Sequence, residues 1–140
     1  MSELVKPEDI ITSSELIALH DEALEKYKGR PGILHEGCVE RTIAAAWHAE
    51  EYAGSEVPGL VLAGFLLYYL TTDHCFRDGN KRGGWMAAIR VLSHFDLTVE
   101  ADTDTVYEFV CECARGRAGT VGGGEAVVRW LTDRIVALPS

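Results

Sequence analysis

The run from Val57 to Leu70 carries no charged residue and, wound as a helix, is apolar on every side. A helix without a polar face cannot lie on a surface, so other helices must surround it. It is shorter than the ~20 residues needed to span a bilayer, which makes it the central rod of a helical bundle. Pro58 fits the first turn of this rod, where its missing N–H costs nothing.

The rod leads into His74-Cys75-Phe76-Arg77-Asp78-Gly79-Asn80-Lys81-Arg82, and a second apolar stretch follows, Gly83 to Phe95, with Trp85, Met86, Ile89, Val91 and Leu92. Two apolar helices therefore hold one polar loop. A helix beginning at Gly79-Asn80 has backbone N–H groups without intrahelical partners, and these, with the positive end of the helix dipole, attract an anion. Lys81 and Arg82 oppose the dipole of their own helix unless an anion sits there. Asp78 is placed to hold a divalent ion that bridges phosphate oxygens. His74 ends the preceding helix, four residues before Asp78, and an imidazole accepts a proton from a hydroxyl at neutral pH. Phe76 is the apolar anchor of the loop. Each residue taken singly has an ordinary structural explanation, since Asp-Gly-Asn is a common turn and a histidine often ends a helix. Their coincidence within one short stretch points to a phosphate site with a base.

Around this centre the chain reads as helices. Thr12-Ser13-Ser14-Glu15 has the spacing of a capping box, and Leu16, Leu19, Ala23, Leu24 and Tyr27 follow at helical spacing, which predicts a helix from about Ser14 to Lys28. Gly29 to Gly37 breaks it, with Pro31-Gly32 suited to a tight turn, and forms an exposed hairpin-like flap. A second amphipathic helix runs from Cys38 to near Gly54, with Glu40, Arg41, Glu50 and Glu51 on its wet side. Leu97 to Glu100 is a short extended connection, and Asp102 to Thr105 offers caps for a helix that ends before Gly116. Gly119 to Gly124 is a flexible break before a last helix with Val127, Trp130, Leu131 and Ile135 on one face. Met1 to Ile11 is a poorly specified arm. The fold class is all-α, a compact bundle of about six helices in a single domain over residues 1–140.

The net charge of −9 argues against a nucleic-acid surface, which needs basic patches to displace counterions, so any anion must be bound locally. Cys38, Cys75, Cys111 and Cys113 have no metal-knuckle spacing and read as ordinary reduced thiols. With no basic-apolar-small leader and no spanning segment, the expectation is a cytoplasmic protein without membrane contact.

His-x-Phe-x-Asp-Gly-Asn-Lys-Arg at residues 74–82 resembles the core motif of the Fic/Doc family, and specifically its Doc (death-on-curing) branch, whose members carry Asn-Lys-Arg where adenylylating Fic enzymes carry Asn-Gly-Arg. The resemblance runs from about Ile10 to Leu138 and takes in Leu19-His20-Asp21 and the Gly29-Arg30-Pro31-Gly32 flap. It implies a toxin that transfers the γ-phosphate of ATP, with Mg2+, to a Ser/Thr hydroxyl of a target protein. In the Doc branch that target is elongation factor Tu, and a cognate antitoxin restrains the enzyme. Carried over, His74 is the general base, Phe76 the loop anchor, and Asp78 the metal ligand or the group that orients the hydroxyl. Gly79 and Asn80 shape the anion hole, Lys81 and Arg82 hold phosphates, and the flap around Ile33 and Leu34 docks the target by strand-like pairing.

Where relatives continue Arg-Thr-Ala, this chain has Arg82-Gly83-Gly84-Trp85, and the two glycines either weaken the first turn of the helix by roughly 1 kcal/mol each relative to alanine or leave room for a ligand lined by Trp85. The Ser/Thr-x-x-x-Glu-Gly/Asn helix by which some Fic proteins restrain themselves has no match, so restraint is expected from a separate antitoxin. The alternatives are a nucleotidyl transferase on the same scaffold, a non-catalytic helical binding module, and, more weakly, a metal hydrolase using His74 and Asp78.

Overall fold

A computed structural model describes residues 6–116 and 122–139. Six α-helices dominate it: α1 Ser13–Tyr27, α2 Cys38–Ala53, α3 Leu60–Asp73, α4 Asn80–His94, α5 Thr103–Ala114 and α6 Gly124–Thr132. The strands β1 Leu97–Val99 and β2 Ile135–Ala137 pair antiparallel, Thr98 opposite Val136. The all-α fold class holds.

The apolar rod lies where its composition requires. α3 packs against α4, α2 and α6, and Leu62, Leu66, Leu67 and Leu70 are fully buried, each contributing roughly 2 kcal/mol of apolar burial. Gly64 lets α6 close on it: a Cβ there would lie 2.6 Å from Val128 Cγ2 and 3.2 Å from the Val128 Cα and N. Because backbone cannot rotate aside, Gly64→Ala should destabilise the bundle by about 1–3 kcal/mol. A lower urea midpoint with an unchanged slope would register this.

Several local expectations are corrected. Pro58 lies outside the rod, which starts at Leu60 behind the N-cap Gly59 at φ 80°. Glu50 is not on a wet face. Its carboxylate accepts from the Gly59 N–H at 3.2 Å and the Leu62 N–H at 2.8 Å, so it closes the N-terminus of α3. Thr12 caps α1 through the Glu15 N–H, but the Glu15 side chain reaches Arg90 Nε at 2.8 Å instead of completing a capping box. The arm is partly core, with a 3₁₀ turn at Pro7–Asp9 followed by Ile10 and Ile11, both buried. Ile135 belongs to β2 and not to the last helix, which ends at Thr132. Of the break placed at Gly119 to Gly124, residues 119–121 lie outside the described residues, and Gly124 itself opens α6.

The reduced-thiol reading is overturned for two of the four cysteines. Cys38 and Cys75 form a disulfide, while Cys111 and Cys113 are free. The bond ties the start of α2 to the residue after His74. Sequence spacing could not reveal the pair, because it forms only when α2 is laid along the end of α3. Cys113 is buried, and burial pushes its thiol up to about 12.

Candidate active site

The motif loop is the connection between α3 and α4, and its conformation follows from residues within it. His74 ends α3 in the left-handed region at φ 52° and is exposed. Phe76 is 1% exposed and anchors the loop from below. Asn80 clips the loop shut from both sides: its Oδ1 accepts from the Phe76 N–H at 3.0 Å and its Nδ2 donates to the Phe76 carbonyl at 2.9 Å. The Asn80 side chain thus holds the loop through Oδ1 and one Nδ2–H, which leaves its second Nδ2–H and its backbone N–H without a partner among the described residues. Gly79, at φ 76°, turns the chain into α4. A Cβ there would also lie 3.1 Å from Leu24 Cδ2 and 3.2 Å from His20 Nε2. The glycine serves the α1 contact as well as the turn.

The flap is paired with the motif loop. Leu34 N–H donates to the Cys75 carbonyl at 2.8 Å and Arg77 N–H to the Gly32 carbonyl at 2.9 Å, with Ile33 and Phe76 forming the bridge between them. Two bonds flanking one opposed pair are the pattern in which that pair's own N–H and C=O groups point outward. Ile33 therefore presents an unused backbone edge, and Ile33 and Leu34 are 46% and 48% exposed. The Arg30 N–H adds a tie to Asp78 Oδ2 at 3.2 Å.

His74, Arg77, Asp78, Gly79, Asn80, Lys81 and Arg82 all line one groove of about 950 Å³. Among the described residues, the backbone N–H groups of Asn80, Lys81 and Arg82 make no hydrogen bond, and the first intrahelical bond is Gly83 N–H to the Gly79 carbonyl at 2.8 Å. The N-termini of α3 and α4 thus differ. Both have a glycine N-cap in the left-handed region, but Glu50 closes the first, while among the described residues no carboxylate accepts from the N–H groups of Asn80, Lys81 or Arg82 at the second. Lys81 is exposed and Arg82 lies over the Tyr27 ring, its guanidinium carbon 3.3 Å from the centroid.

Asp78 is the only acidic residue lining the groove among the described residues. Oδ2 accepts from Arg30 and Oδ1 from the Gly79 N–H at 3.0 Å, which leaves each oxygen a further lone pair. No cluster of three or more His, Cys, Asp or Glu suited to a resident metal occurs among the described residues. A single carboxylate beside an open helix N-terminus can supply one ligand to a divalent cation that takes its remaining ligands from elsewhere.

Three features escaped the sequence. Tyr27, assigned to the apolar face of α1, is 52% exposed and forms the rim under Arg82. The far wall of the groove comes from β1 and α5, through Val99, Val106, Tyr107 and Val110. His20 is 1% exposed and stacks on Phe76 with ring centroids 3.6 Å apart. Its signal was legible: a histidine in register with Leu16, Ala23 and Leu24 on the buried side of α1. Trp85 does line the groove, but Gly83 and Gly84 leave no room for a ligand. A Cβ at Gly83 would meet His20 at 3.3 Å, and one at Gly84 would meet Thr71 at 3.0 Å and Leu67 at 3.3 Å, so both serve helix packing.

The sequence profile described as the Fic/DOC family matches residues 10–92, which take in α1 to most of α4 with the flap and the motif loop. No curated protein matches the chain. No helix among the described residues is long and apolar enough to cross a membrane.

Proposed function

The chain belongs to the Fic/DOC family, whose members are transferases acting on protein hydroxyls, and from that premise we propose that it is a Doc-like toxin that transfers the γ-phosphate of ATP to a Ser/Thr hydroxyl. The observation that carries this reading is that His74 and the open N-terminus of α4 face one groove. A base and an anion hole on the same hollow are what phosphoryl transfer to a hydroxyl requires.

The chemistry follows from those positions. The target strand pairs with the outward backbone edge of Ile33, which sets its register without demanding much of its sequence. His74 accepts the proton of the target hydroxyl as that oxygen bonds to the γ-phosphorus, and the bond from that phosphorus to the β,γ-bridging oxygen breaks, releasing ADP. Lys81, Arg82 and the N–H groups of Asn80, Lys81 and Arg82 hold the phosphates and balance charge on the departing ADP. Asp78 would hold Mg2+, which supplies charge neutralisation across the phosphates when bound. The apolar wall of Val99, Val106 and Val110 provides a surface for the base of the nucleotide.

Lys81 supports phosphate transfer over AMP transfer. Adenylylating Fic enzymes, by the motif resemblance, carry glycine at this position, leaving space for the β- and γ-phosphates along the helix. Lysine fills that space with a charge, and Gly83 and Gly84 do not restore it, because His20, Thr71 and Leu67 occupy their sides. By the same resemblance the target is elongation factor Tu, the site of action is the cytoplasm, and a separate antitoxin protein covers the flap or the phosphate hole.

Parallel reactions with ATP labelled on the α- or the γ-phosphate, using elongation factor Tu and whole lysate as acceptors, test this reading. Label should pass to protein from the γ position only. Transfer from the α position would replace the kinase with a nucleotidyl transferase, and transfer from neither would leave the binding module.

A further inference from the structure

Glu50 closes the N-terminus of α3, yet the corresponding end of α4 stays open, and a residue on α1 accounts for it. His20 Nε2 lies 2.6 Å from the Asp78 carbonyl oxygen. A carbonyl only accepts, so the proton of the ring is on Nε2 and the bond runs from His20 to Asp78. In the neutral ring this leaves a lone pair on Nδ1, which is buried and has no hydrogen-bond partner among the described residues. Asp21 Oδ1 is 3.5 Å away, within ion-pair reach but without hydrogen-bond geometry. A buried polar atom without a partner is unfavourable. An apolar side chain would fill the same space without that cost, so what distinguishes the imidazole here is its Nε2–H bond.

That bond decides where α4 begins. In a continuing helix the Arg82 N–H would bond to the carbonyl four residues earlier, that of Asp78. His20 has drawn this oxygen toward α1, and the positive φ of Gly79 turns the chain at the same point. The Arg82 N–H is left unbonded beside those of Asn80 and Lys81. Were the Asp78–Gly79 peptide to rotate, its oxygen would enter the hole or take the Arg82 N–H, and either would reduce anion binding. We infer that His20 is a positioning residue for the phosphate hole, holding the Asp78–Gly79 peptide so that three backbone donors stay open to the phosphates of ATP. The inference deepens the nucleotide reading above and rests on it.

Glutamine and methionine are close in length and volume, so His20→Gln and His20→Met lose the ring stack on Phe76 equally and differ in the donor. Two measurements on the full chain separate the outcomes. Calorimetric titration with ATP and magnesium should show His20→Met weakened about tenfold or more and His20→Gln within about threefold of the parent, the size of one hydrogen bond's effect. Adenosine, which lacks phosphates, should bind all three alike. Native-state hydrogen exchange should show the Arg82 amide more protected in His20→Met than in the parent, as it gains the Asp78 carbonyl. Equal effects of the two variants on ATP and on Arg82 exchange would reduce His20 to packing and overturn the inference. So would a His20→Met chain that unfolds while His20→Gln folds. If the parent binds no ATP, the nucleotide reading falls by itself, and Arg82 exchange still decides whether His20 holds the peptide.

Discussion

His74→Asn is expected to cut the rate of label transfer from γ-labelled ATP to protein by about 10³-fold, within the range a positioned general base contributes. Asparagine is the better probe than alanine because His74 sits at φ 52°, a left-handed conformation that asparagine tolerates and alanine does not. The side chain is exposed and makes no hydrogen bond among the described residues, so stability should stay within about 0.5 kcal/mol of the parent. ATP affinity should also hold, since in the proposed function α4 and not His74 grips the phosphates. The loss therefore belongs in kcat, with KM for ATP little changed. Transfer by the variant at the parental rate would remove His74 as the base. A silent parent would remove the enzyme altogether.

Opening the Cys38–Cys75 disulfide is expected to have the largest effect on stability. The bridge closes a chain segment with a sequence separation of 37, for which chain entropy alone predicts about 4 kcal/mol. Cys38→Ser should lower the urea midpoint by a corresponding amount, and reductant should lower that of the parent but not of the variant. Thiol titration of the denatured, unreduced parent should find the two free cysteines, Cys111 and Cys113, and no others. Four titratable thiols would return the protein to the fully reduced state, which a reducing cytoplasm favours. The bridge also joins the start of α2, directly after the flap, to the neighbour of His74. Reduction should therefore loosen the flap before the bundle melts, visible as faster exchange of the Leu34 and Arg77 amides that tie flap to loop.

The features read correctly from the chain alone were those encoded within a few consecutive residues. An uncharged rod had to be surrounded, whatever surrounded it. Gly79 followed by Asn80, Lys81 and Arg82 had to make an electropositive helix start, because unpaired N–H groups and adjacent cations are local properties. Phe76 had to point inward from a polar loop. The tertiary structure alone decided which partners those groups met. Glu50 reaches across to Leu62 and removes one helix start from contention as an anion site, while His20, 58 residues before Asp78, keeps the other open. Arg30, 48 residues before Asp78, takes part of the carboxylate that the motif alone assigns to a metal. Gly83 and Gly84, which by themselves suggest space, turn out to be filled by α1 and α3. Cys38 meets Cys75 only because α2 lies along the end of α3. Periodicity records which face of an element is buried. It does not record what lies opposite, because hydrogen bonds, helix contacts and disulfides form between segments whose approach depends on packing of the whole bundle.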